Sequence, residues 1–318
     1  MQNSLVTGII PTRNRPELAL RAVRSALGQT HPNMEVIVVV DGPDRATHVA
    51  LGTINDNRLR VLDLNESVGS ADARNKGVQH AKGEWVAFLD DDDEWMPDKI
   101  EKQFDRARHS DSDNPVVACR VIGRTPKGDY IWPRRYPNRG EALSEYLFAR
   151  NTWFRGEGQI QTSMIFTRRQ LMLSVPFTSG MSRNDDSDWY VHIGVRDDVG
   201  LEFVDEPLAI WHLDENRDTV TTRHKWRRTH DWLNTIRPLI TSRAYAGFIA
   251  TQLAGEAAKQ HAWVAFFPLL SDMFRLGKPK PIDIALYLGN WAMPESLRSS
   301  IRSILSRKQR INPSRWNL

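Results

Sequence analysis

A chain of 318 residues, 40% hydrophobic and 26% charged, can bury one large core or a core with an appended unit, and reads as an ordinary soluble protein. Its single cysteine, Cys119, excludes an intramolecular disulfide framework and a thiolate zinc cluster, so a reducing compartment is expected. The formal charge of +4, with basic residues crowded late in the chain, suits anionic partners; the sequence has no zinc-finger spacing, RNA-binding aromatic signature or basic recognition helix, so nucleotide diphosphates or anionic lipid are preferred over nucleic acid.

Leu5 to Ile10 is an apolar run that predicts a strand, and Pro16 to Gly28 carries the period of a helix. Val36 to Val40 predicts a second strand, with a helical stretch after Pro43. Arg60 to Leu64 is a third strand followed by a helix over Ala71 to Ala81, and Trp85 to Leu89 is a fourth strand. A helix from Pro97 to about His109 follows, with proline in its first turn. This βαβ rhythm predicts an α/β fold with a mostly parallel central sheet flanked by helices, and ligands in the crevice beyond the strands' carboxyl ends. From Val116 to about Thr222 the rhythm is less regular, and Trp132 to Pro137 reads as an acceptor-facing loop. Beyond about Arg223 the chain is helical, basic and rich in tryptophan. Met1 to Ser4 lacks the basic segment and apolar run of a signal peptide, and Glu256, Lys259, Gln260 and His261 interrupt the most apolar late stretch, so neither export nor a membrane helix is expected.

Three loops converge at the carboxyl ends of the predicted strands: Pro11 to Arg15, Asp41-Gly42, and the acidic run Asp90-Asp91-Asp92-Asp93. Four carboxylates at the mouth of a buried strand repel one another, and a hard divalent cation with oxygen ligands relieves the repulsion. Taken alone, the run is also what a solvated acidic turn looks like. A second cluster, Asp185-Asp186-Ser187-Asp188, suits either proton transfer or an N-cap for the helix that holds Trp189, Tyr190 and Ile193. Asp41 reads as a hydrogen-bond acceptor for a ligand or as a cap before Gly42-Pro43, and the two roles are compatible.

Taken in order, Ile10-Pro11-Thr12-Arg13-Asn14-Arg15, Val38-Val39-Val40-Asp41-Gly42, Asn65 with Gly69, Ala73-Arg74-Asn75-Lys76-Gly77 and Gly83 to Asp93 resemble the inverting family 2 glycosyltransferases of GT-A fold. The resemblance continues more weakly through Thr162-Ser163-Met164-Ile165-Phe166 to Asp185-Asp186, where aspartate stands in the glutamate position of the family's Glu-Asp motif, and covers about two-thirds of the chain. It implies a catalytic domain over 1–222, with a nucleotide-binding half at 1–120 and an acceptor-side half at 121–222, and a helical, basic extension over 223–318. It implies a UDP- or dTDP-sugar donor, held by Pro11, Thr12, Arg15, Asp41, Arg74, Asp90 and Asp91, with Asp41 on the nucleobase and Arg74 on the nucleotide. It implies Mg²⁺ or Mn²⁺ on Asp92, with His212 as a second metal residue, Asp186 as general base, and Asp93, Asp185 and Asp188 in support. The acceptor implied is a glycan or lipid-linked hydroxyl in bacterial polysaccharide assembly, in the cytoplasm or at the inner face of the membrane.

Some readings stay open on the sequence alone. His212 is equally a satisfied structural histidine. Asp214 to Asp218 reads as a segment that closes over the donor. Leu297, Ile301, Ile304 and Leu305 share a helical face beside Arg298, Arg302, Arg307, Lys308 and Arg310, a pattern that fits either a helix on an anionic membrane or one packed on the protein. Trp211, Trp226, Trp232, Trp263 and Trp291 are sugar-stacking platforms or core. An aspartate-nucleophile phosphatase would need a threonine soon after the acidic pair where Glu94-Trp95 stands, and a sugar-nucleotide pyrophosphorylase would need a glycine-rich first loop. A catalytically degenerate scaffold that binds nucleotide or glycan is the non-enzymatic alternative; retention of both acidic clusters argues against it.

Overall fold

The computed structural model describes residues 4–126, 128–153, 157–213 and 225–293. The segment Asp214 to Asp218 and the amphipathic stretch expected around Leu297 to Arg310 lie outside the described residues. The chain divides into two compact units, the first formed by Met1–Trp132, Ile160–Trp189 and Arg196–Glu215, the second by Pro133–Gln159, Tyr190–Val195 and Asn216–Leu318.

The first unit is built on one sheet with strand order β3 (Leu59–Asp63), β2 (Met34–Val40), β1 (Val6–Thr12), β4 (Trp85–Phe88), β8 (Phe166–Arg168), β6 (Asn114–Thr125), β9 (Val199–His212), β5 (Asp93–Trp95), and β7 (Gly128–Trp132) hydrogen-bonded to β6. β1 (Val6–Thr12) and β2 (Met34–Val40) are buried at every residue, which is why their sequences are largely apolar with no solvent-facing alternation; of the polar exceptions, Thr7 and Glu35 meet each other, the Thr7 hydroxyl donating to Glu35 Oε1 at 2.6 Å. β3 (Leu59–Asp63) and β4 (Trp85–Phe88) extend the parallel half on either side. α1 (Pro16–Leu27) takes its first turn from proline and buries Ala19, Ala22, Val23 and Ala26, one face at helical spacing. α2 (Arg45–Leu51) is capped by Asp44, whose Oδ1 accepts the Thr47 N–H at 3.0 Å. α3 (Ser70–His80) lies close on the sheet because Gly77 has no side chain: a Cβ there would sit 2.4 Å from Ile9 Cγ2. The helix expected from Pro97 begins two residues later, as α4 (Lys99–Arg108).

The second half of the sheet is less apparent in the sequence. β6 (Asn114–Thr125) and β9 (Val199–His212) pair in parallel, with register breaks on either side of Arg120. β7 (Gly128–Trp132) folds back on β6, so Trp132 is the end of a strand and the irregular stretch begins at Pro133. β8 (Phe166–Arg168) runs antiparallel to β4, and β5 (Asp93–Trp95) antiparallel to β9. Charged Glu202, Asp205 and Glu206 and then Pro207 break the apolar pattern of β9, whose first half is only partly buried.

The second unit has its own helical core. Phe148 and Phe248 meet edge to face at 5.0 Å, with Leu233, Ile236, Ile249, Leu253, Leu269 and Tyr287 among the buried residues around them. A buried ion pair, Arg243 with Asp283 at 2.6 Å, ties helix Ser242–Phe248 to helix Pro281–Ala292. Trp291 is buried, which makes it core rather than a sugar platform, and Trp232 is partly buried with its ring 5.3 Å from that of Phe248.

Candidate active site

β4 delivers the acidic run to the edge of the sheet. The Leu89 N–H donates to Ile9 O at 3.0 Å, the last parallel bond, and the next residue turns out of the ladder. There the Asp90 N–H donates to Ser163 Oγ at 3.1 Å, while the Ser163 hydroxyl donates to Asp93 Oδ2 at 2.6 Å. One hydroxyl therefore pins both ends of the run. Asp90, Asp92 and Asp93 each place a carboxylate oxygen within 4.8 Å of the others.

Asp91 points elsewhere. It is buried, accepting from Thr12 Oγ1 at 2.8 Å and from Arg15 at 3.1 Å, and the same Arg15 nitrogen reaches Asp92 at 3.3 Å. Burial, then the charge of Asp92, push the Asp91 carboxyl up to about 6, against the opposing pull of Arg15. Thr12 and Arg15, expected on the donor, are thus engaged with the acidic run. Pro11 is buried within β1 opposite Val39.

Asp41 holds a loop. Its carboxylate accepts from the Val68 N–H at 2.6 Å, the Gly69 N–H at 3.1 Å and the Ser67 hydroxyl at 2.8 Å, which fixes the backbone entering α3. Gly42 follows at φ +97°, and its tight approach to Ser67 admits only glycine. Arg74, on the buried side of α3, donates to Asp90 Oδ1 and to Asp185 Oδ2, both at 2.5 Å, with its guanidinium 5.6 Å from the Phe177 ring centre.

The second cluster opens α5 (Asp185–Ile193). Asn184 sits at φ +60°, a left-handed conformation asparagine tolerates, and accepts the Asp188 N–H at 2.8 Å. Asp188 is buried and accepts the Thr178 hydroxyl at 2.6 Å, so it anchors the helix start. Asp186 is partly open at its surface and accepts the Ser187 N–H at 2.6 Å. Dense surrounding protein and the charge of Asp185 nonetheless raise its carboxyl to about 7. His212 is not among the clustered carboxylates; its Nε2 lies 2.7 Å from Glu94 Oε1, on the strand pair β5–β9.

Residues 7–174, more than half of the chain, match glycosyl transferase family 2. The chain belongs to that family. It is 26% identical to the amylovoran biosynthesis glycosyltransferase AmsB of Erwinia amylovora over 246 residues, 74% of this chain and 78% of that one. It is 34% identical over 104 residues, 33% of this chain and 41% of that one, to the UDP-Glc:alpha-D-GlcNAc-diphosphoundecaprenol beta-1,3-glucosyltransferase WfgD of Escherichia coli. Among solved structures it shares its fold with S. aureus TarS 1-349 in complex with UDP-GlcNAc (TM-score 0.63, 15% identity, 93% of this chain and 92% of that one). It shares it also with the mannosyltransferase PcManGT of Pyrobaculum calidifontis in complex with GDP-Man and Mn²⁺ (TM-score 0.57, 17% identity, 96% and 87%). The protein is a glycosyltransferase of GT-A fold.

Three residues of this glycosyltransferase's site were not singled out from sequence. Ser163 pins the acidic run, though its only signal was membership of the weaker motif Thr162 to Phe166. Asn75 grips Phe177 from both sides, donating to its carbonyl at 2.8 Å and accepting its N–H at 3.0 Å. Asp72 accepts from Ser179 Oγ at 3.0 Å and from the Gly180 N–H at 2.9 Å. α3 thereby carries the strand-end loops on one side and the segment leading into α5 on the other, which brings two acidic clusters far apart in sequence to one arginine.

The donor set suits a hard cation. Asp90, Asp92 and Asp93 offer oxygen only, in a region where carboxylates outnumber the arginines that face them, and the upward push of Asp92 on Asp91 records the excess negative charge. Mg²⁺ and Mn²⁺ match such ligands.

Proposed function

We propose that this glycosyltransferase is a metal-dependent, inverting enzyme that moves a sugar from a UDP- or dTDP-sugar to a hydroxyl of a glycan or lipid-linked acceptor in bacterial polysaccharide assembly. The observation that carries the reading is the meeting of the two acidic clusters on Arg74, with the carboxyl of Asp186 raised to about 7 beside the cation-suited group Asp90, Asp92 and Asp93. Asp186 takes the proton from the acceptor hydroxyl; the acceptor oxygen bonds to the anomeric carbon from the side opposite the leaving group, and the electrons of the breaking C–O bond pass to the nucleoside diphosphate. A pKa near 7 suits that role, since a substantial fraction of the group is charged at neutral pH while it is basic enough to accept a proton. Asp90, Asp92 and Asp93 would hold Mg²⁺ or Mn²⁺, which would supply Lewis-acid stabilisation of the departing diphosphate.

Arg74 keeps Asp90 and Asp185 in place, and Asp41 shapes the loop against which a nucleobase rests. The donor and acceptor in WfgD's name, and UDP-GlcNAc in the TarS complex, support a nucleotide-sugar donor and a lipid-linked acceptor. We assign the catalytic domain to 1–222, with cytoplasmic donors reaching it. The test is product formation from a panel of UDP-, dTDP- and GDP-sugars with Mn²⁺, read by mass, with the anomeric configuration of the product read by NMR. An inverted product from a UDP- or dTDP-sugar that vanishes with EDTA is expected; a retained configuration, or unchanged transfer in EDTA, overturns the reading.

A further inference from the structure

The second unit carries an apolar face that its own fold leaves in solvent. On helix Phe266–Arg275, Leu269 and Met273 are buried and Phe266 packs 5.5 Å from both Tyr287 and Trp291, so one side of the helix is committed to the core. The other side is apolar too. Val264 and Phe267 are each 75% exposed, Trp263 60% and Phe274 53%. Phe267 and Phe274 are two helical turns apart and stand in one row, with Trp263 and Val264 at its head. Scattered single hydrophobes on a surface need no explanation, but an aligned aromatic row marks a place of contact.

Charge selects the partner. Over residues 259–293 the bases are Lys259, Arg275, Lys278 and Lys280, the last three exposed, with Arg275 next to Phe274 in the chain and the two lysines just beyond the end of the helix, while the acids Asp272 and Asp283 are already paired with His230 at 3.1 Å and Arg243 at 2.6 Å. A second copy of this face would bring bases against bases. An anionic lipid surface accepts the aromatic rings at headgroup depth and neutralises the lysines and arginine around them. We propose that the face formed by Trp263, Val264, Phe267 and Phe274 docks this protein on an anionic lipid bilayer. The proposal goes beyond the transfer reaction, and vesicle binding is read without donor, metal or acceptor, so its failure is distinguishable from failure of the chemistry.

The experiment is co-sedimentation of the full chain with phosphatidylcholine vesicles, with and without phosphatidylglycerol. Binding to the anionic vesicles that falls with added salt is expected, and the F267S/F274S variant should lose roughly tenfold or more of that affinity, as burial of two phenylalanines implies. The removed rings are exposed, so the variant should melt with the wild type. K278E/K280E provides an independent reading should the first variant misfold: it should bind anionic vesicles more weakly and leave any binding to pure phosphatidylcholine unchanged. Undiminished binding by both variants overturns the proposal, as does loss of binding only in I301S/L305S, which would place the contact in the tail. A wild-type dimer that F267S/F274S converts to monomer overturns it in favour of a second copy.

Discussion

Arg74 donates to Asp185 at 2.5 Å across 111 residues of sequence, and its second amino group holds Asp90 at the same distance. Burial disfavours the guanidinium charge, but Asp90 and Asp185 outweigh it and keep Arg74 protonated at any working pH. The arginine is thus the joint between the acidic run and the proposed base. Its planar fork is what spans two carboxylates; an ammonium is a point charge and reaches one.

The first prediction follows from that geometry. Arg74→Lys keeps the charge and loses the span, so the chain should fold while kcat/KM for transfer falls about 10²-fold, the scale on which misplacement of a catalytic group acts. Steady-state kinetics with a melting curve beside them check it. A lysine variant with wild-type kinetics would mean that the bridge is not needed to position Asp186.

A second prediction concerns pH. Asp186, raised to about 7, must be deprotonated to accept a proton, so kcat/KM should rise with pH and level off above about 7. Asp186→Asn should cost about 10²–10⁴-fold, the usual contribution of a general base. After burial, the charge of Asp185 is the next cause of the rise, so Asp185→Asn should move the acidic limb of the profile to lower pH. An unmoved limb in that variant would assign the limb to another group.

How much of this was legible in the sequence follows the physics of each element. β1, β2 and β4 are covered on both faces, so their apolar runs stood out and delivered Asp41 and the acidic run to strand ends. β9 is half covered and broken by charge, and β7 is an edge hairpin, so neither announced itself. The candidate site divides in the same way. Residue types marked Asp90, Asp92, Arg74 and Asp186, but only the fold shows that Asp91 turns inward onto Thr12 and Arg15, that Asp188 is an anchor, and that His212 lies on Glu94. Ser163 stayed hidden because a serine acquires its role from what stands opposite it.

The third prediction concerns the cation. If Asp90, Asp92 and Asp93 hold Mg²⁺ or Mn²⁺, either ion should raise the melting temperature of the wild type, by RT ln(1 + [L]/Kd) in free energy, and EDTA should reverse the rise. Asp92→Asn should abolish the shift and the transfer together while leaving the metal-free melting temperature close to that of the wild type, since Asp92 lies at the mouth of the sheet and is partly exposed. A full cation shift in Asp92→Asn would move the metal to other ligands.

Lys99 supplies a test of the core beneath the site. It is wholly buried on α4, donates to Gln103 Oε1 at 2.5 Å and lies 4.4 Å from the Trp95 ring centre, where burial brings its ammonium down to about 8. The folded pKa is lower than that of the unfolded chain, so between about 8 and 10.5 the unfolded state binds more protons and stability attributable to Lys99 rises with pH; below 8 the buried charge is a standing cost. Lys99→Met removes that titration but leaves Gln103 Oε1 without its donor, an opposing loss of about 1–3 kcal/mol. The sign at neutral pH is set by that competition, whereas the slope is not: the stability of Lys99→Met relative to the wild type should decline as pH rises from 8 to 10.5. Urea melts at a series of pH values check it, and a difference independent of pH would mean that Lys99 keeps its proton inside the core.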